Sequence, residues 1–292
     1  MNECEGKKSF EVTVPGKWVL AGEHAVIRGG CAVALPCPQK MLHLEFVDCE
    51  KNSVYVEPAP LQEMIPELIT EFEKLSQTQV GASLKGLLKI ESSIPVGAGQ
   101  GSSAALCVAV VKWLNTKLKI QIAEKDLVRI ATRMEDQFHG TSSGMDVATC
   151  FAGEPIEFYR ERGGRPLGIK NLPKFETLDT GLRSITKNCV SKVIQKFEEN
   201  PALGKKLDSQ MSESALLAIE GLKMYDRGEV THGLDRISKA MKAAQGCFEQ
   251  WGLVPAKVKK MEQELYKKGA LAVKLTGSGE GGFLIALWPD RG

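Results

Sequence analysis

The sequence predicts an α+β protein of two domains, the first covering residues 1–152 and the second residues 153–292. Three observations support this prediction. A chain of 292 residues exceeds the usual size of one small domain. Strand patterns dominate the first third, and four successive helix patterns lie between residues 186 and 268. Because strand and helix blocks are segregated, the pattern favours α+β layers over a doubly wound parallel sheet.

The first domain begins with strand patterns that are separated by glycine and proline. Alternating or β-branched runs predict strands at residues 10–14, 32–35, 42–46, 54–56 and 87–91. Apolar residues at helical spacing predict helices near residues 61–75, 102–117 and 124–137. The first third of the chain is therefore expected to be rich in strands.

The second domain is predicted to be mainly helical. Strand patterns recur around the domain boundary, at residues 147–151, 156–159 and 175–178. Helix patterns follow near residues 186–198, 207–226, 229–250 and 255–268. The chain closes with two predicted strands, at residues 271–276 and 283–287, which flank a cluster of glycines.

The composition is typical of a globular protein, with 43% hydrophobic and 25% charged residues. Lys and Arg number 38 and Asp and Glu 36, so the net charge of +2 lacks the one-signed field of a nucleic-acid binder. The longest apolar run, residues 104–111, has eight residues, whereas a membrane-spanning helix needs roughly 20. We therefore expect neither nucleic acid nor a membrane as a partner.

The N-terminus and the cysteines both indicate the cytoplasm. Residues 1–8 carry acidic side chains and lack the apolar core of a secretion signal. The eight cysteines lie far apart without a CxxC pair, a spacing that fits reduced, packed thiols. The expected location is therefore cytoplasmic.

Three glycine-rich segments carry the functional signal, and the first is Gly97-Ala98-Gly99-Gln100-Gly101-Ser102-Ser103. It lies between a predicted strand and an Ala-rich predicted helix. Alternating glycines let backbone N–H groups approach an anion, and a helix N-terminus adds about half a positive charge. A phosphate-binding loop and a glycine-rich turn with a serine N-cap both fit these residues. A Walker A loop does not fit, because Ser102 and not lysine follows Gly101.

The second segment contains a GxGxxG match between Gly277 and Gly282. A predicted strand follows it, whereas a dinucleotide-binding fingerprint opens a helix. No HRD or DFG motif follows, which argues against the glycine loop of a protein kinase. A loose hairpin turn remains open at this point.

The third segment places Glu135 and Asp146 at the two ends of a polar loop that contains glycine. Phosphoryl transfer to a hydroxyl needs neutralisation of charge by Mg²⁺ and a group that orients or deprotonates the nucleophile. One Glu and one Asp can divide these tasks. For either carboxylate alone, a helix end with a solvated acid is the alternative.

These three segments, together with residues 15–26, resemble the signature motifs of the GHMP small-molecule kinases and occur in the family order. The resemblance extends over nearly the whole chain. Within the family, residues 22–26 and 139–146 are most similar to the mevalonate kinases. The resemblance implies the GHMP fold, with a left-handed βαβ unit in the N-terminal domain and a ferredoxin-like C-terminal domain.

The resemblance also implies that ATP, with Mg²⁺, phosphorylates the 5-hydroxyl of mevalonate in isoprenoid precursor synthesis. The implied ATP-binding residues are Gly97, Ala98, Gly99, Gln100, Gly101, Ser102 and Ser103. The implied metal ligands are Ser103 and Glu135, and the implied catalytic residues are Asp146 and Lys17. The implied substrate-binding residues are Glu23, His24, Ser143, Thr186, Gly277 and Ser278.

Elementary chemistry fits these roles but leaves two of them open. The Lys17 ammonium can stabilise an alkoxide and the charge on a transferring phosphoryl group. Asp146 can act as a base or as a group that orients the hydroxyl. His24 can contact the substrate or merely cap a backbone group in a turn.

Several positions depart from the mevalonate kinase pattern. Ser142 replaces the usual proline and Val147 the usual asparagine, while Ser278, Glu280 and Phe283 stand where alanine, glycine and cysteine are common. A carboxylate beside a triphosphate would repel it, so the Glu280 side chain is predicted to point outward.

Two rival functions remain. Phosphomevalonate kinases carry a run like residues 143–148, so phosphomevalonate or a sugar is an alternative substrate, and Arg183, Lys187 and Lys192 are the available cations. A catalytically silent sensor with the GHMP fold is the second rival, against which the presence of Lys17 and Asp146 argues. The apolar stripes of the helices between residues 186 and 268 fit either core packing or a homodimer face.

Overall fold

The computed structural model describes residues 7–49, 53–80, 84–140 and 142–290. Their strands are β1 (Lys7–Ala21), β2 (Ala32–Asp48), β3 (Val54–Glu57), β4 (Gly86–Ser92), β5 (Ile156–Tyr159), β6 (Gly163–Pro166), β7 (Phe175–Asp179), β8 (Ala272–Thr276) and β9 (Phe283–Leu287). Their α-helices are α1 (Met64–Ser76), α2 (Ser102–Lys117), α3 (Glu124–His139), α4 (Met145–Ala152), α5 (Thr186–Glu199), α6 (Pro201–Asp226), α7 (Val230–Gln250) and α8 (Ala256–Lys267). Two short 3₁₀ helices cover Ala25–Arg28 and Ala59–Leu61.

The chain forms two compact units that are interleaved along the sequence. The first unit consists of the residues up to Gly16 together with Pro36–Val96 and Gly101–Gly153. The second unit consists of Lys17–Leu35, Gly97–Gln100 and the residues from Glu154 onward. The first predicted glycine-rich loop therefore begins in the second unit and ends in the first.

The first unit contains a βαβ arrangement and a buried central helix. β3 and β4 pair in parallel and are connected through α1, while β2 pairs antiparallel with the other edge of β4. α2 buries ten side chains, among them Trp113, and packs against α1, α3 and α4. Because α2 is apolar on most sides, it needs such neighbours around it and forms the core of this unit.

The second unit contains the antiparallel sheet β7-β9-β8 and four helices. Both β8 and β9 are buried along their whole length. α6 and α7 pack on each other, and α7 packs on β8. The 3₁₀ helix Ala25–Arg28 is tied to α6, because the Arg28 guanidinium donates two hydrogen bonds of 2.5 Å to the Asp208 carboxylate. This ion pair attaches the 3₁₀ helix to α6.

The strand predicted at residues 147–151 is wrong, because these residues belong to helix α4. Gly144 precedes the helix in a left-handed conformation (φ 81°) that glycine adopts readily. Five of the eight residues of α4 are buried, against α2 and α3. A short run that is buried on most sides lacks a helical period, so its sequence pattern resembles that of a buried strand.

Three other elements differ in extent from their predictions. The strand expected at residues 10–14 is part of the longer strand β1. The strands expected at residues 32–35 and 42–46 are parts of the continuous strand β2. The helix expected at residues 207–226 begins earlier, at Pro201. Asn200 caps it by accepting a hydrogen bond from Leu203 N (3.0 Å), and proline is favoured in the first turn.

The cysteine prediction is confirmed for six residues and wrong for one, while Cys4 lies outside the described residues. The free, buried cysteines are Cys31, Cys37, Cys107, Cys150, Cys189 and Cys247. Cys49, by contrast, is disulfide-bonded. In the part of the chain that the structure describes, every helix is too short or too polar to cross a membrane.

Candidate functional site

The phosphate-loop candidate adopts a backbone that only glycine adopts easily. Gly97, Gly99 and Gly101 have φ angles of 69°, 75° and 78°. A Cβ atom on Gly97 or Gly99 would meet nothing within 4 Å, so their backbone conformation and not lack of space calls for glycine. Gly101 is the N-cap of α2 and has no side chain to cap it, which leaves the first N–H groups of the helix suited to an anion.

Lys17 anchors this loop within the second unit. Its side chain is only 3% exposed, and its Nζ donates a hydrogen bond to the carbonyl oxygen of Gly99 (2.9 Å). Its backbone N–H donates to the carbonyl oxygen of Gln100 (2.9 Å). The predicted catalytic lysine is thus in direct contact with the predicted ATP-binding loop. The side chain of Gln100 is fully buried.

The two predicted metal ligands lie together in the first unit. Ser103, in the first turn of α2, donates from Oγ to Glu135 Oε1 over 3.3 Å. Glu135 lies on α3 and is 2% exposed. Its second oxygen, Oε2, accepts a hydrogen bond from Ser142 Oγ (2.6 Å). The carboxylate is therefore placed between two hydroxyl groups.

The pair formed by Ser103 and Glu135 fits a Mg²⁺ site. Adjacent ligands of an octahedral ion with bonds of about 2.1 Å lie about 3 Å apart, close to the 3.3 Å between Ser103 Oγ and Glu135 Oε1. No cluster of three or more His, Cys, Asp and Glu side chains suited to a metal occurs among the described residues. Mg²⁺ is commonly bound by one or two protein ligands together with substrate phosphates.

Asp146 and Ser143 lie at the beginning of α4 in the same unit. Asp146 is in the first turn of the helix and is half-buried. Ser143 Oγ accepts a hydrogen bond from Met145 N (3.3 Å). An acidic side chain in the first turn is favoured by the positive end of the helix dipole. The carboxylate of Asp146 is thus held on a regular element and not on a loose loop.

Glu23 forms a buried ion pair that the sequence analysis did not foresee. Glu23 Oε1 lies 2.6 Å from Nζ of Lys274 on β8, and both side chains are buried. Nζ also donates to the carbonyl oxygen of Val19 (3.3 Å) and to that of Leu275. Burial raises the pKa of Glu23 and lowers that of Lys274, whereas the attraction between the two charges opposes both changes. A lysine within an otherwise apolar strand was the available sequence signal.

His24 contacts the second glycine-rich segment. Its Nε2 lies 2.9 Å from the carbonyl oxygen of Ser278, so Nε2 carries the proton and donates it. The ring packs edge-on against Trp251 and Phe248. Burial lowers the pKa of His24 to about 4, and the side chain is therefore neutral at pH 7. His24 therefore binds a backbone group, and its contact with the substrate stays a prediction.

The second glycine-rich segment is packed closely into the second unit. A Cβ on Gly279 would lie 2.8 Å from Leu253 Cβ, and one on Gly281 would lie 2.7 Å from Leu182 Cβ. Gly277 (φ 89°) has open space around its Cα. The segment is thus a fixed turn between β8 and β9, with Gly277 and Ser278 at its beginning.

Glu280, the unusual residue of this segment, is paired with a cation. Its carboxylate forms an ion pair with Nζ of Lys192 on α5, and Oε2 accepts a hydrogen bond from Cys189 Sγ (3.7 Å). Arg183 binds the Asp179 carboxylate through two hydrogen bonds of 2.7 Å. Thr186, the remaining predicted substrate residue, is exposed at the first position of α5.

The chain is similar to known proteins over most of its length. Residues 66–154 match the model of the GHMP kinases N terminal domain, and residues 221–292 match that of the GHMP kinases C terminal domain. The mevalonate kinase of Aeropyrum pernix is 27% identical over 97% of this chain and 90% of its own length.

Solved structures show the same fold. The L. major mevalonate kinase, crystallised with R-mevalonate, superposes with a TM-score of 0.79 at 22% identity and covers 100% of this chain and 91% of its own. The Streptococcus pneumoniae phosphomevalonate kinase superposes with a TM-score of 0.75 at 17% identity, over 97% of this chain and 92% of its own.

Proposed function

Because the chain belongs to the GHMP kinase family, we propose that it transfers the γ-phosphoryl group of ATP to the 5-hydroxyl of mevalonate. The observation that carries the proposal is the similarity to mevalonate kinases over almost the full length of both chains. The site geometry adds the parts that phosphoryl transfer needs, namely a glycine-rich loop, a hydroxyl and carboxylate pair for a cation, a lysine and an aspartate.

ATP binds, in this proposal, through the loop formed by Gly97, Ala98, Gly99, Gln100, Gly101, Ser102 and Ser103. The backbone N–H groups at the beginning of α2 bind phosphate oxygens. Ser103 and Glu135 would hold Mg²⁺, and the ion would neutralise charge on the phosphates. Lys17 keeps the loop in place through Gly99 and stabilises the charge of the transferred group.

The acceptor side is assigned to residues of the second and third glycine-rich segments and their neighbours. Asp146 binds the acceptor hydroxyl, a placement that serves both of its candidate roles as base and as orienting group. Ser143, Thr186, Gly277 and Ser278 are proposed to contact mevalonate. Glu23 and His24 are buried. We assign them a positioning role, because His24 binds the backbone of Ser278 and Glu23 binds Lys274 on β8.

The state of the available cations favours mevalonate over phosphomevalonate. A second phosphate on the acceptor would need free basic side chains. Arg183 is bound to Asp179, and Lys192 is bound to Glu280. Of the three cations considered, only Lys187 has no such carboxylate partner among the described residues. We therefore rank phosphomevalonate below mevalonate, as the second candidate substrate.

The test is ADP release by the purified protein with ATP and Mg²⁺, with mevalonate, phosphomevalonate, galactose and homoserine as separate acceptors. The proposal predicts turnover that is selective for mevalonate. Selective turnover of another acceptor would contradict mevalonate as the substrate, but it would still support phosphoryl transfer from ATP. Nucleotide binding without turnover of any acceptor would favour the silent sensor.

Three predictions from the sequence accompany the proposal. They are the assignment of residues 1–152 and 153–292 to the two GHMP domains, the cytoplasmic location and the homodimer. The family models match parts of each predicted domain. Size-exclusion chromatography with light scattering would distinguish a 31.8 kDa monomer from a dimer.

A further inference from the structure

Ser142 stands where the mevalonate kinase pattern has proline, and it makes three hydrogen bonds. Its hydroxyl donates to Glu135 Oε2 (2.6 Å) and accepts from the backbone N–H of Gly144 (3.1 Å). Its own backbone N–H donates to Asp136 Oδ1 (2.7 Å). Proline has neither a hydroxyl nor an N–H group. None of the three hydrogen bonds can therefore form with the usual residue.

The direction of the Ser142 hydroxyl follows from these contacts. A serine hydroxyl has one proton to donate and lone pairs that accept. Since the N–H of Gly144 occupies a lone pair, the proton is directed to Glu135. The distance of 2.6 Å falls in the short range that hydroxyl-to-carboxylate hydrogen bonds show. The bond to Asp136 fixes the backbone from which the hydroxyl extends.

This arrangement leaves the other oxygen of Glu135 facing Ser103. Ser142 holds Oε2, and Oε1 lies 3.3 Å from the Ser103 hydroxyl. A bond to one oxygen restricts rotation of a carboxylate about its last torsion, and this preorganises the second oxygen for a cation. We propose that Ser142 is a positioning residue that orients Glu135 for Mg²⁺ and sets the affinity of the enzyme for the cation. The inference rests on the proposed function, because it takes Ser103 and Glu135 as the metal ligands.

The sharpest test compares Ser142→Thr with Ser142→Val. The two variants have nearly the same shape, but only Thr keeps the hydroxyl. The readout is binding of Mn²⁺, as a paramagnetic substitute for Mg²⁺, in the presence of a non-hydrolysable ATP analogue. Loss of a group that orients a metal ligand typically costs ten- to a hundred-fold in metal affinity. We expect about tenfold weaker Mn²⁺ binding for Ser142→Val and near wild-type binding for Ser142→Thr.

The same pair is then compared in turnover. The Mg²⁺ concentration for half-maximal activity should rise for Ser142→Val, while KM for mevalonate stays unchanged. Ser209 on α6 provides a matched control, because its exposed hydroxyl also donates to a glutamate, Glu213 (2.7 Å). Ser209→Val should leave Mn²⁺ binding unchanged.

The outcomes separate this inference from the proposed function. Equal Mn²⁺ affinity of the Thr and Val variants would overturn the role of Ser142, as would a wild-type protein that binds no Mn²⁺ with the nucleotide. If the wild type binds Mn²⁺ with the expected variant difference but does not phosphorylate mevalonate, Ser142 keeps its role and the substrate assignment fails. Thermal unfolding of both variants checks that each is folded when it is measured.

Discussion

Acidification should destabilise the protein through His24. Its side chain is 5% exposed, and burial lowers its pKa from 6.5 to about 4. In the unfolded chain the imidazole is in water and titrates near 6.5. Between pH 6.5 and 4 the unfolded chain thus binds a proton that the folded protein does not bind. The free energy of unfolding therefore falls as the pH decreases through this range, and the loss ends near pH 4.

The size of the effect follows from the two pKa values. The difference between 6.5 and about 4, at about 1.36 kcal/mol per pH unit, corresponds to roughly 3 kcal/mol. Burial is the largest cause and the positive charge of Arg28 acts in the same direction, whereas the Ser278 carbonyl and Asp208 favour the charged imidazole. Such a loss is a large part of the 5–15 kcal/mol that typically separates folded from unfolded protein.

The assay is urea unfolding at pH 7, 6, 5 and 4, followed by tryptophan fluorescence. Wild type is compared with His24→Gln, because a glutamine amide can still donate to the Ser278 carbonyl but does not titrate in this range. The stability difference between the two should change by roughly 3 kcal/mol from pH 7 to pH 4. His232→Gln, at an exposed position on α7, controls for the substitution itself. A difference that stays constant across these pH values would refute the reasoning.

Three further predictions concern the site and its support. Asp146→Asn and Lys17→Met should each abolish ADP release with mevalonate while the thermal unfolding transition is retained, and near-normal turnover of either would contradict its role. Glu23→Leu leaves Lys274 buried without its carboxylate partner and should lower the free energy of unfolding in urea by about 3–5 kcal/mol. Replacing both residues by leucine should lower it less, and equal losses in the single and double variants would exclude this coupling. Gly281→Ala places a Cβ 2.7 Å from a neighbouring side chain at a φ of 149° and should lower stability by about 1–3 kcal/mol, so an unchanged urea midpoint would count against the close packing.

The parts of the fold that the sequence predicted are those with a clear local pattern. α2 and α3 begin and end within two residues of their predicted bounds, because glycine precedes α2 and follows α3, and the apolar residues of α3 have helical spacing. α4 was predicted as a strand, since burial on most sides removes the period that separates a helix from a strand. Local patterns could not predict the interleaved units either, because each unit is formed by segments that are distant in the sequence.

The same distinction holds for the candidate site. The loop around Gly99 was found from its glycines, whose conformation is a local requirement. The ion pair of Glu23 and Lys274 joins residues 251 positions apart, and no local pattern connects them. His24 was found, but its partner Ser278 lies 254 positions away, so the sequence could not decide between substrate contact and backbone capping.

The departures from the family pattern weaken the kinase assignment less than the sequence suggested, because the structure supplies a local partner for two of them. Ser142 replaces the fixed backbone of proline by hydrogen bonds to Glu135, Asp136 and Gly144. Glu280 adds a negative charge to a segment that usually has glycine, and Lys192 neutralises it. We expect the protein to tolerate Glu280 only while Lys192 is present to neutralise its charge. Replacing Lys192 alone should therefore raise KM for mevalonate more than replacing Glu280 by glycine, since only the first change leaves an unpaired carboxylate in the segment that is proposed to contact this anionic acceptor.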